Sequence, residues 1–83
     1  MRVILRPAAR RDLRRLSPEV YRRVITDVHA LADDPRPPGW LLLRDRASRT
    51  WRVRVGDWRI LYDIDDVARV VCVLHVLHRS EAY

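Results

Sequence analysis

Residues Trp51 to Tyr62 read Trp-Arg-Val-Arg-Val-Gly-Asp-Trp-Arg-Ile-Leu-Tyr, and this stretch decides the fold. Two alternating runs are separated only by Gly56 and Asp57. Glycine at the first central position of a two-residue hairpin turn takes positive φ without a Cβ clash. A turn that tight sets Val55 opposite Trp58, Arg54 opposite Arg59 and Val53 opposite Ile60. Side chains alternate faces along a strand. Trp51, Val53, Val55, Trp58, Ile60 and Tyr62 therefore share one face, and Arg52, Arg54 and Arg59 share the other. Like charges directly across a strand pair repel. Three guanidinium groups on one open face are tolerable where solvent screens them or an anion sits between them.

Outward from the hairpin, the N-terminal side supplies what the apolar face needs. Arg2 to Arg6 reads as a short strand ended by Pro7, and Ala8 to Leu16 as a short helix with Leu13 and Leu16 as its apolar pair. Ser17-Pro18-Glu19 is a helix start: a capping hydroxyl, proline at the first helical position and an acid at the positive dipole end. Val20, Val24, Ile25, Val28 and Leu31 then recur at spacings of three and four, one buried stripe. Asp33-Asp34-Pro35 stops that helix, because the residue before proline disfavours the helical region. Arg36 to Gly39 is a stiff loop, Trp40 to Leu43 a brief strand or loop, and Arg44 to Arg49 a charged connection. On the C-terminal side, Asp65-Asp66 starts a second turn. Arg69 to Leu77 is an almost wholly apolar strand, central or packed on both faces. The chain ends His78-Arg79-Ser80-Glu81-Ala82-Tyr83. The expected fold is α+β: an N-terminal strand, two helices, then a three- to four-stranded, mainly antiparallel sheet with the helices on one face.

The 83 residues make a single domain, 1–83, that buries only about 60–65% of its unfolded surface. A hydrophobic share of 48% excludes a disordered chain. The net charge of +6 favours a polyanionic partner. All 17 basic residues are arginine, whose planar fork suits phosphate but which cannot act as a general base. The single cysteine, Cys72, lies in an apolar run and reads as a small buried thiol. The apolar runs fall far short of the roughly 20 residues of a membrane span, so a cytoplasmic protein with no membrane partner is expected.

The order of elements, the hairpin Trp51–Tyr62, the Asp-rich turn after it, the apolar last strand and the terminal His-Arg-Ser-Glu-Ala-Tyr together resemble the RelE/ParE superfamily of bacterial toxins. The resemblance spans nearly the whole chain and is sharpest at Trp51–Tyr62 and His78–Tyr83. It implies the toxin of a type II toxin–antitoxin pair, closer to the RelE branch, whose members enter the ribosomal A site and cut mRNA there. Carried over residue by residue, it places the functional basic residues at Arg52, Arg54 and Arg59, a further one at Arg79 or its neighbour His78, and a tyrosine at Tyr83. The chain departs from some members that have lysine at the positions of Arg52 and Arg54. Ungapped alignment also puts Leu77 where some members place a catalytic arginine.

Scission of RNA at a 2′-hydroxyl needs a proton acceptor, stabilisation of the crowded phosphate and a proton for the leaving oxygen. Arg52, Arg54 and Arg59 suit the second task through charge-assisted hydrogen bonds. Tyr83, His78 or His75 must handle protons. Tyrosine is a poor base at its unperturbed pKa of about 10, though adjacent guanidinium groups favour phenolate. His78 is intrinsically better poised. His75, inside an apolar strand, reads more simply as a packed, hydrogen-bonded histidine. Trp51 and Trp58 read as core. The arginines of the helices (Arg10, Arg11, Arg14, Arg15, Arg22 and Arg23) read as solvated faces or as contacts to ribosomal RNA. Asp63, Asp65 and Asp66 are turn formers. Three scattered histidines and one cysteine lack metal-ligand spacing, and no cofactor is expected. The resemblance implies as partners a cognate antitoxin, in a hetero-oligomer, and the ribosome with its mRNA. Two alternatives stand beside it: a gyrase-inhibiting toxin of the ParE type, and a non-catalytic module that binds RNA or antitoxin.

Overall fold

The computed structural model describes residues 1–36, 41–42 and 50–81, with the backbone alone at 41–42. The chain runs β1 (Arg2–Leu5), α1 (Pro7–Arg14), α2 (Pro18–Ala30), β2 (Leu41–Leu42), β3 (Trp51–Val55), β4 (Trp58–Asp65) and β5 (Val70–His78). The strands form one sheet in the order β1-β5-β4-β3-β2. β1 runs parallel to β5, and the other three pairings are antiparallel. This is the expected α+β arrangement, with β5 central, flanked by β1 and β4.

Local chemistry explains the helices. Pro7 does more than end the first strand: it opens α1 at a position where the missing N–H costs nothing. The Ser17 hydroxyl accepts the Val20 N–H at 3.3 Å, and Pro18 begins α2. Ala9 and Leu13 of α1 and Val24, Val28 and Leu31 near α2 are buried against Val53, Val55, Ile60, Tyr62, Val71, Val73 and Val76 of the sheet. Val20, Ile25, Trp51 and Trp58 pack around that core, half-buried. The six-residue hairpin face expected to receive the helices does so.

The hairpin register is the expected one: Val55 pairs with Trp58, Arg54 with Arg59 and Val53 with Ile60. Gly56 has φ of +60°, the conformation that only glycine adopts freely. The register between β4 and β5 slips once. Leu61 pairs with His75 and Tyr62 with Val73, leaving Leu74 as the extra residue of a β-bulge. Past the bulge the inward phase of β5 moves from Val71 and Val73 to Val76. β1 reaches only as far as Val73, and α1 takes over there: the Asp12 carboxylate accepts the Val76 N–H at 2.9 Å. The same oxygen lies 3.2 Å from His75 Nδ1. His75 is thus hydrogen-bonded as expected, but it is exposed rather than packed.

Two contacts fasten the segment after α2. The Tyr62 hydroxyl donates to the Pro35 carbonyl at 2.8 Å. The Arg36 guanidinium forks onto Asp66 at 3.0 and 3.4 Å and lies over the Trp51 ring, 5.6 Å from its centroid. Asp66 sits in the turn between β4 and β5, where the Asp65 carboxylate accepts the Ala68 N–H, a turn-forming role as expected.

Candidate functional site

Alternation places Arg52, Arg54 and Arg59 on the sheet face away from the helices, with Leu61 across from Arg52 and Leu77 across from Arg59. The expectation that this face lies uncovered needs correction. Arg54 is exposed, whereas Arg52 and Arg59 keep only 8% and 6% of their surface accessible. Burying a guanidinium requires partners. Arg59 finds some within its own hairpin: Nη1 donates to the Gly56 carbonyl at 3.1 Å and to the Trp58 carbonyl at 3.0 Å. Its Nε is buried and has no hydrogen-bond partner among the described residues. Turning Arg59 toward the turn carbonyls also eases the repulsion from Arg54 directly across the strand pair.

The terminal motif divides. His78 pairs with Trp58, whose side chain belongs to the helix-facing side, and the two rings meet edge to face with centroids 5.2 Å apart. The Ser80 N–H points at His78 Nδ1 at 3.4 Å, and the Ser80 hydroxyl lies 3.0 Å from the same nitrogen. Nδ1 thus faces the N–H and hydroxyl of Ser80. The structure does not bring His78 to the arginines; Leu77 occupies the register position opposite Arg59. Arg79 extends the ladder by one bond, its N–H donating to the Asp57 carbonyl at 2.7 Å. Its exposed guanidinium stands 3.9 Å from the Asp57 carboxylate at the hairpin turn. Tyr83 lies outside the described residues.

Other titratable groups serve the fold. Burial pushes the Tyr62 hydroxyl up to about 12, with the Arg36 charge pulling the other way. Tyr62 is wholly buried on the helix side and remote from the arginine face. Cys72 is half-buried rather than fully buried. Among the described residues no three metal-ligating side chains converge, and no helix is long and apolar enough to cross a membrane. The sequence reading missed Gly56 as a functional neighbour: its carbonyl holds Arg59, and its missing Cβ lets the Arg23 guanidinium approach to 3.1 Å of where that atom would be. Only the positive φ of the turn was readable in advance.

Residues 3–83 match the family model described as the ParE toxin of the type II toxin–antitoxin system parDE. Toxin RelG of Mycobacterium tuberculosis is 38% identical over 76 residues, covering 90% of this chain and 86% of that protein. In the crystal structure of the toxin–antitoxin complex RelBE2 from the same organism, a chain 34% identical superposes with a TM-score of 0.83, covering 94% of this chain and 96% of that one. A chain of the archaeal RelE–RelB complex from Pyrococcus horikoshii is 25% identical with a TM-score of 0.82, covering 98% and 97%.

Proposed function

Because the chain belongs to the RelE/ParE superfamily of toxins from type II toxin–antitoxin systems, we propose that it is a ribosome-dependent endoribonuclease that cuts mRNA in the A site. The observation that carries this reading is Arg59. Its guanidinium is pinned on one side by two turn carbonyls, and its buried Nε is unpartnered among the described residues. A buried charged donor without an acceptor is costly, and a phosphate oxygen is the acceptor best matched to it. A phosphate reaches Arg59 only by displacing what buries it. Arg54, exposed and directly across, makes the first contact; Arg52 shares their face.

In the proposed reaction the 2′-oxygen attacks the adjacent phosphorus and the bond to the 5′-oxygen breaks. The products are a 2′,3′-cyclic phosphate and a 5′-hydroxyl. The 2′-hydroxyl proton passes to a base, and the departing 5′-oxygen takes up a proton. The arginines stabilise charge on the phosphate and take no proton, since guanidinium does not deprotonate. Proton handling falls to Tyr83 of the terminal motif, because His78 packs on Trp58 at the other face. Arg79, at the hairpin turn, adds charge at the rim. The partners are a cognate antitoxin, as in the complexes of the relatives, and the translating ribosome. The protein acts in the cytoplasm, where ribosomes carry mRNA, without metal or cofactor.

Arg59→Lys keeps the charge and loses the fork. It is expected to reduce mRNA cutting in a cell-free translation mix by about a hundredfold or more. Tyr83→Phe should do likewise. Full-rate cutting by both variants would remove the site. The match to a model described by its ParE toxin favours one second reading, gyrase inhibition. DNA breaks without mRNA cleavage would select it.

A further inference from the structure

The arginine face does not stop at the sheet. Beyond Arg52, β3 has no strand partner on its outer side among the described residues, and Arg23 of α2 reaches the hairpin turn at Gly56. Between them lies a groove of about 600 Å³, lined by Arg22, Arg23, Thr26 and Asp27 from α2 and by Arg54, Val55 and Gly56 from the hairpin. Three guanidinium groups face one carboxylate. None of the three arginines forms an ion pair, and Asp27 forms none either, among the described residues. The Thr26 hydroxyl donates to the Arg22 carbonyl at 2.7 Å, so its lone pairs, not its proton, face outward. The Arg23 guanidinium lies against Gly56, whose carbonyl holds Arg59 on the other side of the turn.

We infer that this groove is a second phosphate-binding site, through which the backbone of the bound RNA continues from Arg54 around the hairpin onto α2. The inference rests on the RNA reading of the arginine face and extends it to residues outside the reacting centre. Like charges gathered in one groove without matching acids are relieved by an anion, and repeated guanidinium groups suit the repeated charge of a nucleic-acid backbone. An acidic peptide helix needs a strip of apolar contacts as well as charge, and among the described lining residues Val55 is the one apolar side chain this groove offers. The cleft between α1 and α2 offers such a strip, with Leu5, Leu13, Tyr21 and Ile25 beside Arg10 and Arg14.

The test is binding of the full chain to ribosomes carrying mRNA with 2′-O-methyl groups at the A-site codon, where no 2′-hydroxyl can attack, across a salt series. Replacing both arginines (Arg22→Gln with Arg23→Gln) should weaken binding at low salt. It should also flatten the log–log salt slope by about 0.7–0.9 for each phosphate that the protein no longer neutralises. Asp27→Asn removes the lone acid and should tighten binding several-fold, an effect no folding defect can mimic. Unchanged affinity and slope in both variants would overturn the site. So would a double variant that keeps RNA binding and loses affinity for an acidic antitoxin peptide. Cutting of unmodified mRNA by Arg59→Lys separates the two readings. Full-rate cutting there defeats the scission site and leaves the slope result standing; a dead Arg59→Lys with an unchanged slope defeats the groove alone.

Discussion

Arg54 and Arg59 stand directly across the hairpin, yet one guanidinium is in solvent and the other is bound to the carbonyls of Gly56 and Trp58. Their substitutions should therefore differ. Arg54→Ala is expected to leave stability within about 0.5 kcal/mol, as at other exposed sites, and to weaken RNA binding. Arg59→Ala should also destabilise, by about 1–3 kcal/mol, because two part-buried hydrogen bonds from a charged donor are lost. Chemical denaturation of the two variants checks this, and equal stability losses would contradict it. Gly56→Ala meets both the positive φ and the close Arg23 guanidinium, and is expected to cost about 1–2 kcal/mol. His78→Gln should cut mRNA at close to the wild-type rate; loss of cutting with the fold intact would return the proton to His78. The pairing of Arg54 with Arg59 was legible because a two-residue Gly-Asp turn fixes the register. Their unequal burial was not, since alternation assigns a face and says nothing of what lies over it.

Among the elements, β5 shows where sequence pattern runs out. Val-Val-Cys-Val-Leu-His-Val-Leu is apolar at nearly every position, so it marks a central strand and hides the bulge at Leu74. That bulge decides which side His75 and the residues after it take. It places Val76 in the core, Leu77 across from Arg59 and His78 against Trp58. Asp12 is the matching device on α1, an acid amid arginines with no signal of its long-range role. Asp12→Ala leaves the Val76 N–H without an acceptor and is expected to cost about 1–3 kcal/mol. Asp12→Asn, which retains an accepting oxygen, should recover part of it. Thermal unfolding of the pair checks this, and indistinguishable variants would contradict the role given to the carboxylate. The helices, by contrast, were legible to within a few residues: α1 ends at Arg14 rather than Leu16, and α2 ends at Ala30, ahead of the expected stop at Asp33-Asp34-Pro35. Ser17, Pro18 and the stripe from Val20 to Leu31 each act through local chemistry that distance in sequence does not disturb.

For the whole molecule, the apolar hairpin face meeting the α2 stripe accounts for the core, and Tyr62 lies within it, its hydroxyl on the Pro35 carbonyl. Its raised value gives alkaline pH a defined effect. The folded state holds the proton up to about 12, while the unfolded tyrosine releases it near 10. The resulting stability is complete below pH 10 and is lost as pH rises from 10 to 12, amounting to roughly 2–3 kcal/mol. Tyr62→Phe should abolish that part of the alkaline decline, which denaturation at a series of pH values measures. The arginine composition and net charge were legible in the sequence, but the unequal exposure of Arg54 and Arg59 and the groove beside α2 come from packing that composition does not carry. The most direct measurement is mapping of transcript 5′ ends in a translating extract with and without this protein. New 5′-hydroxyl ends inside coding regions, absent when initiation is blocked and absent with Arg59→Lys, are the predicted result. An unchanged set of 5′ ends while translation in the extract still stops would contradict RNA scission.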